Sequence, residues 1–402
     1  MQRTWLEAAP EEPSKQRRYF HYRTPSPIPF RFAVSSARYS VAKDTYKGSI
    51  EAGSRNVDIE IYYHLDHTEN VSALIRNAKE TLAYCEKNFG KYPYNALRFA
   101  ESTGFASGFA ATSYPATIFV NENQAFHADM RNGGLPDVIN ELAGHEVSHQ
   151  WWGGQLSPAD VEGAPMLTET FAMYTELMLY EKMHGREAAL AMVKMHRDFY
   201  VAGRGFESEM PLYKSTSDLA FVNYDKGLVV MHQLRHLLGE ENVNALLRAM
   251  LQQHGFPKSP PTTLDFLGVV YAECPPALHG RIDQLFKQVV VHDAKISSAE
   301  VLKKSDGTYS IKIIGALRTF FQNSKGEQTE IFSERKTEHE VEISVEDVDG
   351  KRSIYRIAVP KGRIDAVLQL TSLPTRLTLD PHYLFLDINS SNNEYSSFSV
   401  KM

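Results

Sequence analysis

The chain has 402 residues, 43% hydrophobic and 23% charged, with a formal net charge of -6. That composition is globular, the length exceeds one ordinary core, and the mild negative charge favours solubility without naming a partner. Two cysteines, Cys85 and Cys274, are too few for a disulfide scaffold and leave the compartment open.

In chain order, residues 1–27 are rich in charge and proline and read as a linker or arm. Residues 28–66 hold strand-like alternation near Phe30 to Val41 and Val57 to Tyr63. An amphipathic helix follows over residues 70–89, then strands to about Glu122. Val138, Ile139, Leu142 and Val147 stand at helical spacing, with Pro136 and Asp137 suited to a first turn. A second helix spans PMLTETFAMYTELMLYEKMHG and stops at Gly185. Further helices are expected over 245–252, 263–272 and 282–290. From Ile296 the period changes to two, and YSIKIIGAL, HEVEISVEDV, SIYRIAV and TRLTLD predict a β-sandwich of roughly 100 residues. The expected class is α+β: an arm (1–27), a short β segment (28–66), a mixed α/β domain (67–292) and a β-sandwich (293–402).

No run of eighteen apolar residues occurs, so no membrane span is expected in the chain, and MQRTWLEAAPEEPSKQRR lacks the charged-then-apolar order of a signal peptide. A Gly-rich phosphate loop, a Ser-His-Asp order and a basic patch interleaved with aromatics are all missing, which sets nucleic acid aside as a partner.

The chemistry lies in HEVSHQWWGG. A helix puts residues four apart on one face, so His145 and His149 point into one volume with Glu146 beside them. Neutral imidazole binds Zn²⁺ well, and an adjacent glutamate can take a proton from a water polarised by the metal, which is chemistry suited to peptide hydrolysis. Two imidazoles beside an apolar stripe would otherwise waste hydrogen-bonding capacity. A tetrahedral zinc needs a third protein ligand and an open position. Glu169, set among core-type residues on the next helix, supplies it, while Glu176 and Glu181 read as solvated-face residues. One Zn²⁺ per chain is the expected cofactor. His232 and His236 are also four apart, but no glutamate follows the first and no third ligand is evident. His64 and His67 flank a polar turn, and His184 and His196 fall at helix ends or exposed faces, so no metal role is expected of them.

HEVSHQWW followed by LTETFAMY resembles the aminopeptidase N family of gluzincin zinc peptidases. The family's spacing has eighteen residues between the second histidine and the third ligand. Here nineteen separate His149 from Glu169, with the extra residue expected in the loop 153–165. FVNYDKGLVVMHQLRHLLGEENVNALL is similar to the family's tyrosine segment, which implies that Tyr224 stabilises the oxyanion. The resemblance also implies a thermolysin-like catalytic domain, a peptide substrate, and a larger β domain upstream of which residues 28–66 match only the last part. The family's Gly-x-Met-Glu-Asn motif, which grips a free N-terminus, is not matched. Read back from IFVNE, its place is held by Ala110, Ala111, Thr112, Ser113 and Tyr114, with Ser113 where the glutamate would stand and Glu122, nine residues on, a substitute only if the strand is arranged differently. The run from Ser113 to Ile118 is similar to bacterial members fused to ABC-transporter permease segments, which implies a membrane-anchored region upstream. Three functions are weighed: an aminopeptidase-like zinc metallopeptidase, an endo- or oligopeptidase without amine selection, and a zinc-binding interaction domain of a transporter-linked protein.

Overall fold

The computed structural model describes residues 2–7, 18–24, 27–48, 53–105, 110–130, 137–204, 209–331 and 340–401. These fall into two compact units, Met1–Ala189 with Glu240–Glu273, and Leu190–Gly239 with Cys274–Met402.

In the first unit, β1 (Gln2–Glu7) and β2 (Arg18–Arg23) form an antiparallel pair inside the segment that reads as an arm. Next come β3 (Ser40–Tyr46) and β4 (Val57–Tyr63). The strand expected from Phe30 is not formed before Ser40. Phe30, Phe32 and Val34 are exposed, and alternation without a neighbouring ladder leaves the backbone no reason to extend. Helix α1 (Val71–Asn88) then buries Val71, Leu74, Ala78, Leu82 and Cys85 along one stripe. It crosses to β5 (Ala96–Ser102), which lies parallel to β4, as a helical crossover requires. β6 (Ala111–Tyr114) and β7 (Thr117–Asn121) complete a sheet ordered β3-β4-β5-β7-β6. Since β5 and β7 are also parallel, the carboxyl ends of β4, β5 and β7 open along one edge.

Helix α2 (Val138–Ser148) starts at Asp137, whose side chain accepts from the Asn140 N–H at 3.0 Å, while Pro136 lies outside the described residues. Ile139, Ala143 and Val147, four apart, form its buried stripe. Helix α3 (Phe171–His184) is buried along the whole run Phe171–Tyr180, as an interior helix must be, and ends at Gly185 with φ +86. A Cβ on Gly144 would stand 3.4 Å from the Glu176 Cα, so glycine there lets α2 and α3 approach closely.

Helices α4 (Arg186–Gly203), α5 (Gly227–Leu238), α6 (Glu240–His254), α7 (Thr263–Glu273) and α8 (His279–Phe286) follow. The helix expected to reach residue 290 ends at Phe286, and β8 (Val289–Lys303) already begins at Val289. Val289, Val290 and Val291 are all buried, so period-two alternation is hidden there. In the second unit β8 pairs with β9 (Tyr309–Gln322), which also carries β10 (Gln328–Ile331). β11 (Glu340–Asp347) and β12 (Arg352–Ala358) belong to another sheet. β13 (Arg363–Leu370), not read in the sequence, returns to β9. β14 (Pro374–Leu379) and β15 (Glu394–Tyr395) join β11, and β16 (Ser399–Lys401) runs parallel to β8. Ile311 and Ile313 from one sheet and Ile343, Leu377 and Leu379 from the other share one core, making a β-sandwich. Among the described residues no helix is long and apolar enough to cross a membrane.

Candidate active site

His145 and His149 stand one turn apart at the end of α2, with ring centroids 4.7 Å apart. Glu169 comes from a π turn, Met166–Thr170, that leads into α3. A π turn holds one more residue than an α turn, so the chain is locally widened where it presents the glutamate. Each Nε2 atom, of His145 and of His149, lies 3.3 Å from the same oxygen, Oε2 of Glu169.

Those separations test the fit of a metal. Donors bound to tetrahedral zinc at about 2.0–2.1 Å stand roughly 3.3–3.4 Å from one another, the separation of each histidine nitrogen from the Glu169 oxygen. The remaining ring nitrogens are already engaged: His145 Nδ1 meets Glu176 Oε2 at 3.1 Å, and His149 Nδ1 donates to the Trp152 carbonyl at 2.9 Å. Both rings are thereby held with Nε2 toward Glu169, as metal-ligating histidines require. Glu146 is buried, and its Oε2 has no hydrogen-bond partner among the described residues. A buried carboxylate oxygen left without a donor fits a site completed by something further, such as a metal and its water.

The electrostatics agree. Burial disfavours the charged form of His145, but hydrogen bonds with Glu169 and Glu176 outweigh this and raise its pKa well above 6.5. Burial would raise Glu169 too, yet the charge of His149 and the hydrogen bonds of both histidines hold it far below the usual carboxylate range. The centre is therefore built to surround positive charge. Burial pushes Glu146 up, against the pull of His149 and His145.

Glu176 corrects the sequence reading. It is buried and bonded to His145, not solvated. It lies seven residues after Glu169, close to two turns on, so the same face carries both carboxylates. Trp151 and Trp152 pin the chain after α2: Trp151 Nε1 donates to the Gly90 carbonyl at 2.8 Å and Trp152 Nε1 to Thr175 Oγ1 at 2.9 Å.

Residues 74–288, more than half of the chain, match the Peptidase family M1 domain. The chain belongs to peptidase family M1. Its likeness to Aminopeptidase 2 of Candida albicans (strain SC5314 / ATCC MYA-2876) is 27% identity over 145 residues, 36% of this chain and 14% of that protein. A structure of Legionella pneumophila aminopeptidase A in complex with aspartic acid superposes with a TM-score of 0.57 at 15% identity, covering 87% of this chain and 38% of that one. This M1 chain thus spans well under half the length of either relative.

The remaining expected site residues of this M1 protein fall differently. Ser113 lies on β6, an edge strand of its sheet, but is buried and accepts from Gln150 Nε2 at 2.6 Å. Gln150, one residue past His149 and not singled out in the sequence, also donates to the Tyr114 carbonyl at 3.0 Å and accepts from the Ala116 N–H at 2.8 Å. It ties the end of α2 to the β6–β7 turn. Glu122 accepts from the Gly104 N–H at 2.5 Å and stands with His67 and His127. Tyr224 belongs to the second unit, half-buried on a π turn, Phe221–Lys226, that opens α5.

Proposed function

We propose that this chain is a zinc metallopeptidase, aminopeptidase-like, that hydrolyses peptide bonds. The observation that carries the reading is the convergence of His145, His149 and Glu169 at tetrahedral-zinc spacing beside the partnerless oxygen of Glu146. Zinc is the usual metal of the M1 family; when bound, it supplies a Lewis acid that polarises the scissile carbonyl and eases proton loss from water. Glu146 accepts the proton of the attacking water and hands it to the leaving amine. Glu176 and the Trp152 carbonyl hold the two imidazoles in register. The outer edge of β6 pairs with no strand among the described residues and offers its backbone to an extended peptide. The oxyanion-donating role of Tyr224 is proposed on sequence resemblance alone. Glu146→Gln is expected to keep its zinc and lose about 10²–10⁴-fold in kcat, the usual worth of a general base. Unchanged turnover at full zinc occupancy would remove Glu146 from the reaction.

A second reading, hydrolysis without selection of a free N-terminus, is favoured by the fate of the two anchoring candidates. The Ser113 hydroxyl carries no charge and is taken by Gln150, and Glu122 bonds Gly104 through one oxygen with the other turned toward His67. Comparing one peptide with its acetylated form separates the two. Equal rates support this second reading, and strong preference for the free amine supports the first.

A further inference from the structure

The carboxyl ends of β4, β5 and β7 bring together side chains that the proposed hydrolytic chemistry does not use. His64 and His67 follow β4, Glu101 closes β5, and Glu122 and His127 follow β7. In open sheets with parallel strands this edge is where ligands bind, because successive loops converge there. In the sequence these groups run from position 64 to position 127, so His67 and His127 meet only through the fold.

We propose that His67, Glu122 and His127 form a second metal site, taking a divalent transition cation such as Zn²⁺. One donor atom from each of the three lies within 4.8 Å of the others. The rings of His67 and His127 are 4.2 Å apart, edge to face. Donors on one tetrahedral zinc stand about 3.4 Å apart, so rotation of the exposed His127 side chain is needed to close the set. Two imidazoles with one carboxylate suit zinc and its neighbours, not calcium or magnesium, which prefer oxygen.

The surroundings are those of a ligand set. Glu101 is buried, meets His67 Nδ1 at 2.5 Å, and with its other oxygen accepts from the His64 N–H at 2.6 Å. A carboxylate on Nδ1 leaves Nε2 with the ring's lone pair, the arrangement that orients and strengthens a histidine ligand. Glu122 is likewise held through its Oε1 by Gly104, leaving Oε2 toward His67. The His127 backbone N–H donates to the Glu122 carbonyl at 3.0 Å, fixing the short loop between these two. A cation here would clamp the segment after β4 to the segment after β7.

The test is zinc stoichiometry by elemental analysis after dialysis against buffered zinc, on the full chain. Wild type is expected to hold two equivalents. His127→Gln should hold one, as should the double variant His145→Gln/His149→Gln, and the triple variant none. His127 is exposed, so its loss leaves the fold intact, which far-UV circular dichroism checks. Cobalt loaded into the double variant should give a visible band that His127→Gln abolishes. A His127→Gln protein with wild-type stoichiometry, or a double variant with no metal, overturns the proposal. A single equivalent that survives in the double variant and is lost with His127 upholds this site and sinks the peptidase centre instead, so the two readings fail separately.

Discussion

Glu176 shows how much of a metal centre lies outside its ligands. Its carboxylate meets Nδ1 of His145 while the other face of that ring meets Glu169, so the imidazole sits between two acids. Removing the outer acid leaves all three ligands present but lets the ring turn. Glu176→Gln is expected to weaken zinc binding about 10–100-fold with secondary structure unchanged, measured by competition with a chromogenic chelator. Affinity equal to wild type would mean that packing alone holds His145. In the sequence Glu176 was hidden by its charge, since a glutamate on a helix is most often solvated. The seven-residue interval from Glu169 was the available signal.

Among elements, the turns that carry Glu169 and Tyr224 are both π turns. Such turns widen a helix by one residue and redirect one side chain, which is why they gather at functional positions. Hydropathy patterning cannot see them, because the apolar stripe continues through. The β6–β7 turn depends on a different device. Ala116 adopts φ +59, a region unfavourable to a residue with a Cβ, and Gln150 accepts from its N–H while donating to Ser113 and Tyr114. Gln150→Ala would leave buried polar groups unmatched, at a cost of about 1–3 kcal/mol each. The variant is expected to unfold at lower urea and to raise KM more than it lowers kcat, with zinc content unchanged. A kcat loss at constant KM would place Gln150 in the chemistry instead of in the edge strand's position.

For the whole molecule, acid is the informative stress. In one unit, burial would raise Glu60, but Arg98 at 2.8 Å lowers it. In the other, burial opposes ionisation of Glu209, yet Lys226 at 2.6 Å and Arg204 at 2.7 Å bring it below its ordinary 4.5. Glu342 behaves alike beside His382 and Arg356. Each folded carboxyl binds its proton more weakly than the unfolded one. Their stabilisation is therefore complete above about pH 4.5 and is lost as pH falls through the lowered folded values. Melting temperatures measured from about pH 7 downward should hold and then drop below about pH 4.5. Glu209→Gln strands the buried Lys226 ammonium and is expected to cost about 3–5 kcal/mol while flattening that acid slope. An unaltered slope would move the acid sensitivity to other carboxylates.

The sequence alone determined what rests on short intervals. Four residues of helix bring His145 and His149 together, period-two runs mark the strands of the sandwich, and an acid among core residues marks Glu169, so these parts and the M1 resemblance were legible before any coordinates. The alternation from Phe30 to Val41 misled because periodicity says nothing about whether a partner strand exists. Only the tertiary structure decided that Glu176 meets His145, that Gln150 holds the inward-turned Ser113, and that Glu122 joins His67 and His127. These depend on which strands lie parallel and how closely two helices approach. Such contacts are set by packing between distant segments, and local spacing carries no record of them.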